Sequence, residues 1–403
     1  VIQSSSGVAG PETTSRPGWL ARNRVPALVV AALIGLRVVS IIVLLRSGVE
    51  EPFTILGGDA RRYMEILDTP GTPYRDFPVE YPPLTLALVA LIRQSTLLGT
   101  LAALAISQLA LEMGTAAALW WGWGRRSSIA YLLLGTPMVL FPFPWVRIDF
   151  LSVFLVVMAF AAMRKGRQSL SGVAFAMSIF AKVWPVALLP VVLIRRQWRS
   201  AATIAVTGAA GLLAWVWWAG TNGLSQISSF RGANGWQIES IPGILFHIAD
   251  PDATRVEQGA WRTGAEMYGW ARTLLLVGTI IVVTWAWFRA SRAAAGFRDI
   301  ALEAYAPLAC TLALLVLAPI ISPQYILWIM PFAALAAANG DRLIGWLALA
   351  VSALTTFLIA SIHAQTAGAR WATYPVVARN ALLVLTGIVV LQRLWRVRAT
   401  SSV

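Results

Sequence analysis

Long apolar runs alternate with short polar turns along almost the whole chain. The first run covers about Val25 to Leu45. Later ones cover Leu97 to Trp121, then 128–143, 149–163, 169–181, 184–194, 201–219 and 271–288, a pair that meets near Ile321, and finally 343–362 and 376–391. A helix that crosses a bilayer needs about 20 mostly apolar residues, because lipid offers no partner to backbone N–H and C=O groups. These runs are too long and too continuous for barrel strands. They predict an all-α polytopic membrane protein with about 12 transmembrane helices, several of them short. The four short runs between 128 and 194 must pack against other helices or line a cavity. Leu84 to Ile92 is too short to cross and is expected at the interface.

Composition agrees. Hydrophobic residues make up 58% of the chain and charged ones 12%, where a soluble domain carries roughly a quarter charged residues. Lys and Arg outnumber Asp and Glu by 32 to 18, for a net charge of +14. In a soluble protein that excess would suggest nucleic acid. In a membrane protein it marks cytoplasmic turns, and no nucleic-acid partner is expected. The groups Arg125-Arg126, Arg164-Lys165-Gly166-Arg167 and Arg195-Arg196-Gln197-Trp198-Arg199 are read as inner turns. Acidic residues gather in 47–80 and 221–270, which are read as outside. Both termini are then cytoplasmic.

Residues 1–24 are expected to form a flexible cytoplasmic tail, with no apolar core of a signal peptide. Residues 25–395 are expected to form one transmembrane domain with outer loops 47–97 and 221–270, and 396–403 a second tail. The single cysteine, Cys310, lies inside an apolar run, so no disulfide can form within the chain. No Cys/His cluster has the spacing of a metal site, and neither metal nor cofactor is expected. An Ala/Arg/Trp-rich composition suits a high-GC bacterium, hence a bacterial plasma membrane.

The densest candidate chemistry follows the first run, in Gly57-Gly58-Asp59-Ala60-Arg61-Arg62-Tyr63 and Val79-Glu80-Tyr81-Pro82-Pro83-Leu84. Asp59 reads either as a solvated loop carboxylate paired with Arg61 or Arg62, or as a base. For the second reading, Gly57-Gly58 would let the backbone turn sharply toward a ligand, and Arg61-Arg62 would suit a phosphate leaving group. Glu80-Tyr81 before two prolines is either a helix start with an interfacial tyrosine or a carboxylate fixed beside Asp59. Arg147, Asp149 and Lys182 lie near the outer ends of short runs. Ionisable groups at such depth tend to face a cavity. They form an Arg147–Asp149 salt bridge, or Arg147 and Lys182 hold the phosphate of a lipid carrier. Glu112, mid-run, needs a partner. Gln324 and Tyr325 at a hairpin tip suit hydrogen bonds to a sugar. His247 and His363 fall in outer loops, and His363 joins the candidate set. Trp184, Trp236 and Trp328 suit stacking on a sugar or the border of a lipid tail.

Taken together, Gly58-Asp59, Val79-Glu80-Tyr81-Pro82-Pro83-Leu84, the Asp149 run, Lys182-Val183-Trp184-Pro185 and Ser322-Pro323-Gln324-Tyr325 resemble glycosyltransferase family 87. This is the group of actinobacterial polyprenyl-phosphate-mannose-dependent α-mannosyltransferases. The resemblance covers roughly residues 25–395. It implies a GT-C-type fold, an active site on the extracytoplasmic side, and a first-outer-loop carboxylate, here Asp59, as general base. It implies a polyprenyl-phosphate sugar as donor, a hexose (mannose first), and a glycolipid or polysaccharide acceptor, within membrane lipid. One departure stands out. The mannosyltransferases of the group carry a histidine in the late outer hairpin, where this chain has Ser322-Pro323-Gln324-Tyr325. Two other classes remain on sequence grounds, a lipid or sugar transporter and a non-catalytic scaffold. They are separated from an enzyme by whether Asp59, Glu80, Arg147 and Lys182 converge on one cavity.

Overall fold

A computed structural model describes residues 19–47, 54–228, 235–257, 260–264, 269–361, 364 and 369–396. Seven helical stretches are long and apolar enough to cross a membrane. They are α1 (Trp19–Ser47, apolar from Ala27), α4 (Leu97–Trp123), α9 (Trp198–Ala219), α12 (Gly269–Ser291), the run Ala295–Val316, α16 (Arg342–Ala360) and α17 (Thr373–Arg396). The protein is therefore a multi-pass helical membrane protein. The remaining five of the expected spans would have to be shorter pieces. These are α5 (Arg125–Leu140), α6 (Asp149–Arg164), α7 (Gln168–Ala181), the stretch 184–194 ending in α8 (Pro190–Ile194), and the stretch 323–338 ending in α15 (Met330–Ala338).

Of the short helices, α6 and α15 are interior. α6 packs between α4 and α7, and α5 lies against α15 and α16. The run Ala295–Val316 consists of α13 (Ala295–Ile300), a π-helical turn Ala301–Tyr305 and α14 (Ala306–Val316). α14 packs against α12 and α17 and is almost wholly buried. By contrast α9 and α12 present Val206, Leu213, Trp217, Leu274 and Ile281 outward, as a lipid-facing surface requires. α7 meets α9 at Gly211, where a Cβ would lie 2.6 Å from the Phe180 ring. Small residues at such a crossing let two helices approach closely.

Glu112 finds its partner in α1. Arg37 Nε and Nη2 each donate to its carboxylate at 2.8 Å, and Arg37 also donates to Leu33 O and Leu132 O. Both side chains are buried. A charge at this depth is costly, and only a near-complete set of hydrogen bonds makes the pair tolerable.

The bundle has two chemically different ends. At one, Arg164, Arg195 and the Trp123 indole converge on Glu303 at 2.5–2.7 Å, while Arg393 and the Tyr305 hydroxyl meet Asp341. Gly166 and Arg196 take positive φ in the tight turns there. At the other end lie Asp59, Arg147, Asp149 and Lys182.

Two segments expected as loops are folded. Residues Thr54–Asp68 form α2 and Pro83–Ile92 form α3. At ten residues α3 reaches about 15 Å, half of a hydrocarbon core. Gly57-Gly58 lies inside α2 with helical backbone, so the pair makes no sharp turn. The reason is spacing. Ala60, Tyr63 and Ile66 recur at helical intervals and are buried, and that face outweighs two poor helix formers. Segment 221–270 carries α10 (Asn222–Ser228), α11 (Ile241–Ala249) and a small antiparallel sheet. Its strands are β1 (Trp236–Gln237), β2 (Arg255–Glu257) and β3 (Ala260–Thr263), in the order β1-β3-β2. It is the β-structured exception to an otherwise helical fold among the described residues.

Candidate active site

α2 sets the site. Asp59 and Tyr63 are four residues apart, one turn of helix, and share a face. Tyr63 is buried with its ring edge-on to Tyr81, centroids 5.3 Å apart. Burial pushes the Tyr63 hydroxyl well above its ordinary value, and the charges of Asp59, Arg147 and Asp149 all reach it.

Asp59 is ion-paired with Arg147. Arg147 follows the 3-10 turn Phe143–Val146, where Pro142 and Pro144 stop α5 from continuing. Its guanidinium sits over the Phe143 ring, 4.9 Å from the centroid. Its Nε is buried and donates to nothing among the described residues.

Two residues on, Asp149 opens α6, where a negative charge suits the helix N-terminus. It is buried and accepts from Lys182 Nζ at 2.5 Å and from Trp328 Nε1 at 2.8 Å. Lys182 caps the C-terminus of α7 and lies over the Tyr325 and Trp328 rings, 4.6 and 5.2 Å from their centroids. Trp328 stacks on Trp184 at 5.2 Å and 9°, and on Tyr325 at 4.3 Å. The Trp184 indole donates to Ser152 Oγ. These rings thus pack on one another around Lys182.

Glu80 accepts both Arg62 Nε and Nη2 at 3.2 Å. Tyr81 gives its carbonyl to the Tyr74 hydroxyl at 2.6 Å. Gln324, in the 3-10 turn Pro323–Trp328, is buried.

The structure therefore gathers Asp59, Arg147, Asp149, Lys182, Tyr325 and Trp328 at one end of the bundle, with Glu80 and Tyr81 at its margin. The pairings differ from two expectations. Asp59 meets Arg147, while Arg62 turns to Glu80 and, at 3.7 Å, to Glu65. Asp149 takes Lys182, so the alternative Arg147–Asp149 bridge does not form. Arg61 is exposed on α2. His247 contacts Thr254 Oγ1 at 2.6 Å, and burial lowers its pKa. His363 lies outside the described residues. Among the described residues no group of three or more His, Cys, Asp or Glu side chains could hold a metal ion.

One buried carboxylate was hidden among the loop acids of the sequence. Glu239, between β1 and α11, is buried and reaches Arg379 Nη1 at 3.4 Å. Its backbone carbonyl accepts Arg379 Nη2 at 2.9 Å and Asn380 Nδ2 at 3.1 Å. Burial pushes the Glu239 carboxyl up to about 7, against the pull of Arg379 and, next, of Arg147. Arg147 thus links Glu239 electrostatically to Asp59. Glu239 stands among several acids in 221–270, and only its burial distinguishes it.

The model of glycosyltransferase family 87 matches residues 79–318, more than half of the chain. The chain belongs to glycosyltransferase family 87. This family 87 protein is also similar to ArnT from Cupriavidus metallidurans, solved in the apo state, at 15% identity and a TM-score of 0.44. The match covers 92% of this chain and 77% of that one. Likeness at that level says nothing of individual residues. No curated protein matches the chain.

Proposed function

We propose that this membrane glycosyltransferase moves a hexose, mannose as first choice, from a polyprenyl-phosphate donor to a glycolipid or polysaccharide acceptor. The transfer takes place at the extracytoplasmic face of a bacterial plasma membrane, with both termini cytoplasmic, within one GT-C-type domain over residues 25–395. Asp59 is the general base. The observation that carries this reading is the contact between Asp59 and Arg147, a carboxylate and a cation joined at the mouth of the bundle.

The donor's phosphodiester is already a competent leaving group. What remains is to deprotonate the acceptor hydroxyl and to balance the charge gathering on the departing phosphate. Asp59 takes the hydroxyl proton, the hydroxyl oxygen bonds to the anomeric carbon, and the bond from that carbon to the phosphate oxygen breaks. In-line attack inverts the centre. Arg147, whose Nε has no partner among the described residues, and Lys182 receive the phosphate. Arg62 is committed to Glu80 and takes a lesser part, while Asp149 holds Lys182.

An apolar groove of about 520 Å³ supports a lipid-linked donor. It is lined by Leu67, Pro83, Leu86, Phe180, Trp215 and Trp218 among others. Leu67 lies two turns along α2 from Asp59, and Phe180 two residues before Lys182. A polyprenyl tail laid there would bring its phosphate to those side chains.

The test incubates purified protein with a panel of polyprenyl-phosphate sugars and measures release of polyprenyl phosphate. Asp59→Asn keeps the size and cannot take the proton, so turnover should fall about 10²–10⁴-fold with donor affinity retained. Near-normal turnover would move the base to another carboxylate.

A further inference from the structure

Segment 235–240 is threaded between the late hairpin and α17. Gln237 N donates to Pro319 O at 3.3 Å and Gln237 Nε2 to Ser322 Oγ at 3.4 Å. Ile238 N donates to Trp261 O, and β1 pairs with β3 at Trp236–Thr263. α11 closes on the segment at Gly243, where a Cβ would lie 1.9 Å from Gln237 O. No other residue fits there without moving the strand. The far side is held by Arg379 and Asn380 on the Glu239 carbonyl. The segment is thus fixed from three directions.

So rigid a segment is surrounded by unused polar atoms. Gln237 Oε1, Gln324 Oε1 and Asn380 Oδ1 are all buried and accept no hydrogen bond among the described residues. The three side chains are 8%, 8% and 4% exposed. Leaving one such group unsatisfied is unfavourable, and native proteins do it rarely. Here three amides from three separate elements do so around one segment. Ser322 joins Gln237 to the turn that carries Gln324, and Asn380 is bound to Glu239. An amide presents both an acceptor and a donor, and a pyranose presents hydroxyls that are both. A phosphate would bring acceptors alone and could not satisfy these oxygens. The cluster adjoins the reaction centre through the turn Pro323–Trp328, which carries Gln324 together with Tyr325 and Trp328, the two rings that lie under Lys182.

We propose that Gln237, Glu239, Gln324 and Asn380 form a subsite that binds a hexose through its hydroxyl groups. This rests on the glycosyl-transfer reading and adds the residues that read the sugar. The hydroxyls belong either to the donor hexose or to the acceptor saccharide, and the two are separable.

Gln237→Met and Gln324→Met remove the amides at nearly constant volume. Both variants and the parent protein are tested with polyprenyl phosphate, polyprenyl-phosphate mannose and octyl α-mannoside. Binding of polyprenyl phosphate, which carries no sugar, should stay unchanged and reports the fold. If the subsite takes the donor hexose, binding of polyprenyl-phosphate mannose weakens about tenfold, the worth of one lost hydrogen bond of the stronger kind. If it takes the acceptor, donor binding holds and the KM for octyl α-mannoside rises by a similar factor. Unchanged donor binding together with an unchanged acceptor KM overturns the subsite while leaving the transferase intact. A parent protein that releases no polyprenyl phosphate from any donor sugar overturns the transfer reading, and the subsite with it. A Gln→Met variant that loses polyprenyl phosphate binding as well would show that the amides hold the fold, and would also overturn the subsite.

Discussion

Asp149 should hold Lys182 and Trp328 in place, and a double-mutant cycle measures how firmly. Asp149→Ala strips the acceptor from two donors, an ammonium at 2.5 Å and an indole N–H at 2.8 Å. A hydrogen bond to a charged group is worth about 1.5–3 kcal/mol, and an orphaned buried donor costs about 1–3 kcal/mol. Removing one partner of a buried pair costs about 3–5 kcal/mol. The Lys182 side chain is 25% exposed, so a freed ammonium reaches water and the lower end applies, about 3 kcal/mol. Lys182→Met is more severe for the partner, because the carboxylate it abandons is only 2% exposed. That change should cost about 3–5 kcal/mol. The double variant leaves neither charge and orphans only the indole, at about 1–3 kcal/mol. The singles together come to about 6–8 kcal/mol and should therefore overshoot the double by a coupling of at least about 3 kcal/mol, the top of the usual range for contacting residues. The assay is equilibrium unfolding of the purified variants in mixed micelles, followed by far-UV circular dichroism. Additivity within about 0.5 kcal/mol would refute the pair.

Two further outcomes follow from the geometry. Glu239 has its carboxyl raised from 4.5 to about 7 in the folded protein, so the fold binds its proton more tightly than the unfolded chain does. Its contribution to stability is full below pH 4.5 and is lost as pH rises through about 7, and Glu239→Gln should flatten the pH dependence of thermal stability in that window. Orientation is checked by cysteine labelling, since Cys310 is buried. Asp252→Cys and Lys165→Cys, both at exposed positions, should react oppositely with an impermeant maleimide on intact cells, and equal labelling would remove the extracytoplasmic assignment.

Much of the bundle is legible in the chain because lipid imposes a rule that acts locally. A run such as 201–219 must be a helix wherever it lies, and α9 follows it within a few residues. The grouping of Arg147, Asp149 and Lys182 was readable for a related reason, since charges beside apolar runs are few. Pairing was not readable. Asp59 and Arg147 are far apart in sequence, and the candidates beside Asp59 were Arg61 and Arg62. Which guanidinium arrives is decided by how α2 lies against the turn before α6. α2 itself was missed because its charges and two glycines look like a loop, while its buried stripe of Ala60, Tyr63 and Ile66 is short. Gln237 and Asn380 leave no trace in the sequence, because a neutral amide becomes informative only when it is buried without a partner.

The pairing that could not be read is the one that fits the chemistry. At this end of the bundle the carboxylates already have cations: Asp59 with Arg147, Asp149 with Lys182, Glu80 with Arg62, Glu239 with Arg379. Under the proposed reaction, a phosphate arriving at Arg147 or Lys182 shares a cation already in use. This is an advantage. Before transfer, one negative charge sits on Asp59 and one on the phosphodiester. Afterwards Asp59 is neutral, carrying the hydroxyl proton, and the phosphomonoester holds both charges. The unit of charge that Asp59 loses is the unit the leaving group gains. Arg147 touches Asp59 and has a buried Nε still to donate, so one guanidinium can follow that charge from carboxylate to phosphate with little movement. A cation placed on Asp59 alone would favour the ground state and slow the proton transfer. Shared with the phosphate, it gives most where charge is developing, which is the condition for lowering a barrier rather than merely binding a substrate.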